Sequence, residues 1–378
     1  MSTFIKLPRF ATGQNNNNVR IALAENRIGN SLAKQNLKIC LLSSELAPLA
    51  KTGGLADVSS ALATYLHEDG HDVRVLIPRY SRIDELGLVI TPVAALSDLE
   101  VTLGSRRVRY SIDRTTIPGT RTPVHLLRCP EFYGRDAIYT QDDDEYLRFV
   151  LLSIAGIEMC QRMGFAPHIM SCHDWQTGLV PLYLRSTYSW DKLFANTRTV
   201  MTIHNIGYQG MFPGWVLDQL ALKGAEHHLH QDDLKDGVVN FLKTGVMYAD
   251  LVSTVSPTYA REIQGDDYGM GLNDLLRQRG GSVVGILNGV DYDEWDPAND
   301  EFLPANYSPE DMSGKAVCKS MLLKELGLDE RAGRPLLGVV SRLVGQKGID
   351  LIAEVVPRLL SQRDFSFAIL GSGCLLYT

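Results

Sequence analysis

The sequence predicts an α/β chain built on a doubly wound parallel sheet, with a second unit of the same kind starting near residue 335. Short apolar runs alternate with amphipathic helical patterns from Leu37 onward. The first two runs are joined by a glycine loop and a helix, as in a right-handed βαβ unit. After a polar, proline-spaced passage the alternation begins again.

The length of 378 residues fits roughly two domains of about 150 residues each, and 45% hydrophobic residues suffice for large cores. Net charge is −7 and no run of Lys and Arg forms a basic stripe, which argues against nucleic acid as a partner. Six cysteines (40, 129, 160, 172, 318, 374) are scattered without a C-x-x-C pair, as expected of reduced thiols in a cytoplasmic compartment. The longest apolar stretch, Phe149 to Ile157, is too short to span a bilayer, so no membrane partner is expected.

Residues 1–36 hold the tract Gln14-Asn15-Asn16-Asn17-Asn18, with one acidic residue (Glu25) and five basic ones (Lys6, Arg9, Arg20, Arg27, Lys34). A polar tract with nothing to bury predicts a poorly ordered extension. Its acid-poor, basic composition leaves an organelle transit peptide open, and with it a plastid location, although serine enrichment is lacking. From Leu37 to Ser43 a strand is predicted, then a helix over Asp57 to His67 closed by Gly70, then a strand over Asp72 to Ile77 stopped by Pro78. Further strands are expected at Thr122 to Leu127, His168 to Cys172, Thr197 to Ile203, Leu251 to Val255 and Val283 to Leu287. Helices are expected between them, at Glu145 to Met163 and Gly237 to Met247. Residues 291–334 read as an interdomain connection with a helix over Lys315 to Leu326. The second unit, 335–378, offers the strand Pro335 to Val340, the helix Gly348 to Leu360 and the strand Phe365 to Leu370. Forty-four residues cannot close a doubly wound domain, so this unit is expected to be incomplete.

Chemistry gathers at predicted strand ends. Lys51-Thr52-Gly53-Gly54-Leu55-Ala56-Asp57 links the first strand to its helix. Glycines that admit an anion, a helix N-terminus and a lysine suit a phosphate or sugar-phosphate cradle; a tight turn with a surface lysine is the alternative. His173-Asp174-Trp175-Gln176, His204-Asn205 and Asn288-Gly289 follow three other strands, so all four groups can share one crevice suited to a hydroxyl-rich ligand. Arg342 and Lys347 follow the strand of the second unit and could face Lys51 across a cleft to hold a diphosphate, unless they belong to a solvated loop. Asp142-Asp143-Asp144-Glu145 reads as a solvated helix start rather than a metal site. His227, His228 and His230 read as a surface loop, and no metal is expected. Gly371-Ser372-Gly373 has the composition of a further phosphate loop, but no helix pattern follows it.

Lys51-Thr52-Gly53-Gly54-Leu55-Ala56-Asp57-Val58, His173-Asp174-Trp175, Thr202 through Gly210 (TIHNIGYQG), Thr254 through Ala260 (TVSPTYA), Gly285 through Asp291 (GILNGVD), and Ser341-Arg342-Leu343 with Gln346-Lys347-Gly348 closely resemble the motifs of the ADP-glucose-dependent glycogen and starch synthases. The resemblance runs from residue 37 to about 373 and implies a GT-B fold, two Rossmann-like domains facing a cleft, with 37–290 as the first. It implies a retaining transfer of glucose from ADP-glucose to the non-reducing end of an α-1,4-glucan, either glycogen or maltooligosaccharides. No cofactor or metal is implied, ADP-glucose being a substrate. By the same resemblance Lys51, Gly53, Gly54 and Asp57 bind the donor, and Asn205 and Asn288 bind sugar. His204 and Asp174 lie by the transferred glucose; Arg342 and Lys347 hold the diphosphate. Ser171 stands where many members carry histidine, and Gly207 where alanine is common. The family's E-x7-E segment and its adenine and ribose loops find no counterpart here, so little or no turnover is expected of residues 1–378 alone. A catalytically inactive glucan-binding or regulatory protein, or a GT-B glucosyltransferase using UDP-glucose, are the alternatives.

Overall fold

The computed structural model describes residues 36–371 except 223, 293, 294 and 332. The expected extension, apart from Asn36, lies outside them, as do Ser372 and Gly373 of the last glycine loop.

Strand β1 (Lys38–Leu42) lies inside a ten-stranded sheet, where Cys40, Leu41 and Leu42 are fully buried. β2 (Asp72–Pro78) runs parallel on one side of it and β7 (Ile169–His173) on the other; Leu41 is in register with Val75 and with Ser171. Beyond β7 come β8 (Arg198–Ile203), β11 (Leu251–Thr254) and β12 (Val283–Gly285), all parallel. Beyond β2 comes β6 (Pro123–Arg128), also parallel. β1, β2, β6, β8 and β11 are largely buried runs rich in β-branched and aliphatic residues, as expected of strands covered on both faces, whereas β12 at the sheet edge is only half-buried. The helix Glu145–Arg162 packs close to β1: a Cβ on Gly156 would stand 2.7 Å from the Leu42 side chain.

The sheet is not wholly parallel. β5 (Arg106–Thr116) is antiparallel to β6, and β3 (Thr91–Pro92) and β4 (Leu99–Leu103) are antiparallel to β5. In β5 the exposed Arg107 and Arg109 alternate with the buried Val108 and Tyr110, a half-covered pattern that antiparallel strands accommodate. The helix expected from Gly237 starts later. Val238–Asn240 forms β10, paired with β9 (Met211–Pro213), and the helix Phe241–Tyr248 begins where Asn240 Oδ1 accepts the Lys243 N–H at 2.9 Å.

The acidic run 142–145 is not simply a solvated helix start. Asp142 and Asp144 bind Arg135 at 2.8 and 2.7 Å, and Glu145 turns inward. Its Oε2 accepts from Arg148 Nη1 at 2.7 Å and from Thr140 Oγ1 at 2.6 Å. Arg148 is completely buried, its guanidinium 5.5 to 5.8 Å from the ring centres of Tyr80, Tyr133 and Phe149. Among the described residues no group of three or more His, Cys, Asp or Glu is placed to hold a metal, and no helix is long and apolar enough to cross a membrane.

The helix Ser313–Glu325 precedes a separate parallel pair, β13 (Leu336–Val340) and β14 (Ser366–Leu370), joined by the helix Ile349–Gln362. Gly348, at φ 67°, adopts the left-handed turn that passes the chain from the Arg342–Lys347 loop into that helix.

Candidate active site

The chain leaves β1 toward β2 and reaches the other flank only with β7. The sheet order therefore reverses between β1 and β7, and ligands of open α/β sheets bind outside the carboxyl ends of strands at such a point. The loops after β1, β7, β8 and β12 all open at that end.

The loop after β1 carries its own anion. Glu45 is buried; its Oε2 accepts the N–H groups of Thr52 (2.5 Å) and Gly53 (3.1 Å), and its Oε1 accepts the Tyr139 hydroxyl (2.6 Å). This corrects the picture of a free anion cradle, because two of the loop's amides already face a carboxylate. What stays open is the space over the glycines: a Cβ at Gly53 or Gly54 would meet nothing within 4 Å. Neither glycine has a positive φ, so neither the backbone nor the protein's own packing requires glycine there. Lys51 Nζ pairs with Asp57 Oδ1 at 2.6 Å, both side chains about half exposed. Two expected donor-binding residues are thus joined to each other.

After β7 the backbone turns sharply. Asp174 sits at φ 54° and ψ −173°, a region that is nearly glycine's alone and costs about 1–3 kcal/mol. The turn directs its Oδ1 to the backbone N–H groups of His204 (2.7 Å) and Asn205 (3.4 Å). Asp174 therefore holds the loop after β8 from beneath. Burial pushes its carboxyl up to about 7, opposed by those two amides. His173 Nδ1 lies 2.9 Å from His204 Nε2, and the two rings stack. Burial lowers His204 to about 4, and burial together with His204 holds His173 well below the ordinary histidine range. Both rings are neutral near pH 7.

These groups oppose one another in their pH dependence. The unfolded histidines take up protons below about 6.5 while the folded ones do not, so their contribution to stability falls as pH drops from about 6.5 toward 4. Asp174 holds its proton more tightly when folded, so its contribution rises as pH drops from about 7 toward 4. Asp174→Asn keeps an acceptor for the two amides and removes this offset. The variant should lose stability more steeply than the parent between pH 6.5 and 4, as urea midpoints across that range will show; an unchanged slope would contradict the assignment.

Asn205 Oδ1 accepts the Gly207 N–H at 3.0 Å, while its Nδ2 donates to Gln346 Oε1 at 3.4 Å. The amide expected to bind sugar thus also reaches the second unit and sets the loop of Arg342 and Lys347 beside the crevice. Arg342 and Lys347 are exposed, and neither side chain makes an ion pair among the described residues. Asn288 is exposed in the loop after β12, at the same end of the sheet; that strand ends at Gly285 rather than Leu287. A cavity of about 320 Å³ beside Arg185, Trp190 and Arg198 lies at the opposite end, where β8 begins. Sequence reasoning did not single out Glu45, Tyr139 or the Ser171–His173 contact; the signal available for Glu45 was an acidic residue in the short Ser43-Ser44-Glu45 turn that follows an apolar strand.

A family model described as the starch synthase catalytic domain matches residues 38–278. The chain is 42% identical to glycogen synthase 1 of Geobacter sulfurreducens over 344 residues, covering 89% of this chain and 68% of that protein. It is 42% identical over 341 residues to glycogen synthase of an Anaeromyxobacter species, covering 89% and 70%. Among solved structures it resembles the catalytic domain of starch synthase IV from Arabidopsis thaliana bound to ADP and acarbose. That likeness has a TM-score of 0.81 at 33% identity and covers 91% of this chain and 70% of the other.

Proposed function

Because the chain belongs to the glycogen and starch synthase family of glycosyltransferases, with the GT-B type of α/β fold, we propose that it moves glucose from ADP-glucose to the non-reducing end of an α-1,4-glucan with retention of configuration, in the cytoplasm and as part of glycogen biosynthesis. The observation that carries this reading is the contact between Asn205 and Gln346, which sets Arg342 and Lys347, without an ion pair among the described residues, beside the crevice formed by His204, Asp174 and the Lys51 loop. The similar starch synthase IV holds ADP and acarbose, which supports a nucleotide-sugar donor and a glucan acceptor here.

The donor's diphosphate lies against Arg342 and Lys347 from one side and Lys51 from the other, over the open space at Gly53 and Gly54. Lys51 exchanges Asp57 for phosphate as the donor enters. His204 contacts the transferred glucose, Asn205 and Asn288 contact sugar hydroxyls, and Asp174 keeps the His204–Asn205 turn in place. As the bond from the anomeric carbon to the diphosphate oxygen breaks, negative charge grows on the departing ADP, and cations already in place lower the barrier. No metal or cofactor is needed for that step. Closure of the second unit over the first excludes water that would otherwise take the glucose.

Release of ADP from ADP-glucose in the presence of glycogen, with matching incorporation of glucose, tests the reaction. Calorimetric titration with ADP and with UDP tests the donor even where turnover is slow. In a chain that also carries the family's adenine and ribose loops, ADP should bind at least about tenfold more tightly, a difference of about 1.4 kcal/mol; tighter binding of UDP there would overturn the donor. Glucan binding without binding of either nucleotide would mean a glucan-binding protein instead.

A further inference from the structure

We infer that Ser171 and His173 are positioning residues that fix His204 as a hydrogen-bond donor toward an oxygen of the bound hexose, because Ser171 Oγ, the His173 ring and the His204 ring form one continuous hydrogen-bonded chain from the sheet to the crevice. That the oxygen belongs to a hexose rests on the function proposed above; the direction of the chain does not.

Ser171 Oγ lies 3.1 Å from His173 Nε2, and His173 Nδ1 lies 2.9 Å from His204 Nε2. Ser171 and His173 are buried, and both rings are neutral, so each carries one ring hydrogen. Only two arrangements keep both contacts as hydrogen bonds. In the first, the Ser171 hydroxyl donates to His173 Nε2, His173 Nδ1–H donates to His204 Nε2, and His204 carries its hydrogen on Nδ1. In the second every bond runs the other way: His204 Nε2–H donates to His173 Nδ1, and His173 Nε2–H donates to Ser171 Oγ.

The second arrangement leaves the Ser171 hydroxyl hydrogen without an acceptor, since its side chain contacts no other polar group among the described residues. An unmet buried donor is the costly case, whereas an unused lone pair on a hydroxyl is tolerated. The first arrangement prevails, and it ends at His204 Nδ1–H. Among the described residues that hydrogen has no acceptor. The Asp174 carboxylate is already turned to the main-chain amides of His204 and Asn205, so it fixes the backbone while His173 fixes the ring. His204 thus offers a hydrogen to a hydroxyl or ring oxygen of the ligand and is not poised to remove a proton.

Long-range proton–nitrogen correlation spectra of the unliganded chain labelled with ¹⁵N-histidine read the tautomers directly, with His204→Gln and His173→Gln assigning the signals. The expected result is Nδ1–H on both rings at pH 7.5. Nε2–H on His204 would overturn the inference. Ser171→Ala should populate both tautomers and lower kcat/KM for the donor roughly 2- to 10-fold, the worth of one neutral hydrogen bond; Ser171→Thr, which keeps the hydroxyl, should restore both. A single unchanged tautomer in Ser171→Ala would also overturn it. Since the spectra need neither donor nor turnover, a chain that fails to bind ADP-glucose would count against the proposed function and leave this reading intact.

Discussion

In a chain that also carries the family's E-x7-E segment, Arg342→Ala is expected to lower kcat for glucose transfer by about a hundred- to a thousand-fold, equivalent to about 2.7–4 kcal/mol of transition-state stabilisation. The expectation follows from which cations are already engaged. Lys51 pairs with Asp57, whereas neither Arg342 nor Lys347 has an ionic partner among the described residues. On the function proposed above, a diphosphate supplies their counter-charge, and the demand on them grows as the sugar–phosphate bond breaks. The loss should therefore appear mainly in kcat, with a smaller rise in the donor KM. Arg342→Lys should recover only part of the rate, since an ammonium cannot span two phosphate oxygens as a guanidinium does. Lys347→Ala should act in the same direction, and the double variant should lose less than the sum, because the two groups serve one leaving group. Steady-state kinetics with varied ADP-glucose decides the matter: a raised KM at constant kcat would make Arg342 a ground-state binding residue only.

Glu145→Ala should destabilise the fold by about 3–5 kcal/mol, far more than loss of a surface carboxylate. The Arg148 guanidinium is fully enclosed, and Glu145 is its ionic partner; its Nε and Nη2 have no hydrogen-bond acceptor among the described residues. Removing the carboxylate leaves a charge in an aromatic pocket made by Tyr80, Tyr133 and Phe149. Removing both charges should cost much less, so Glu145→Ala combined with Arg148→Met should regain most of the loss. Urea midpoints of the parent, single and double variants form the test, and additive losses would show that the pair is not coupled.

The parallel half of the sheet was legible because β1, β2, β7, β8 and β11 are apolar runs ending in glycine, proline or a polar cluster, and a residue type at a strand end says where it will lie. The same rule puts Lys51, Asp174, His204 and Asn205 at one end of the sheet. β5 is hard to read because Arg106, Arg107, Arg109 and Arg114 interrupt its apolar residues, and the buried Ser111 and Asp113 do not look like core positions. The helix after residue 237 was placed too early because Val238 and Val239 fit an apolar helical face as well as a strand; Asn240, as a cap, marks the real start. Glu145 and Arg148 stand three residues apart, a spacing common to surface pairs, and nothing in that spacing says that the pair is enclosed. The direction of a side chain within the site was also out of reach. Lys51 and Asp57 were both assigned to the donor, yet they meet each other first, and the partner of the loop amides was a glutamate six residues earlier than Lys51.

That glutamate has a consequence for the cost of each reaction cycle. A loop whose amides converge on nothing would be disordered when empty, and every donor molecule would have to order it again at the expense of affinity. With Glu45 and Tyr139 bound beneath it, the segment from Thr52 to Gly53 is already shaped before any substrate arrives. The entropy of arranging it is lost once, during folding, and the free energy of donor contacts remains available for drawing the two halves of the cleft together.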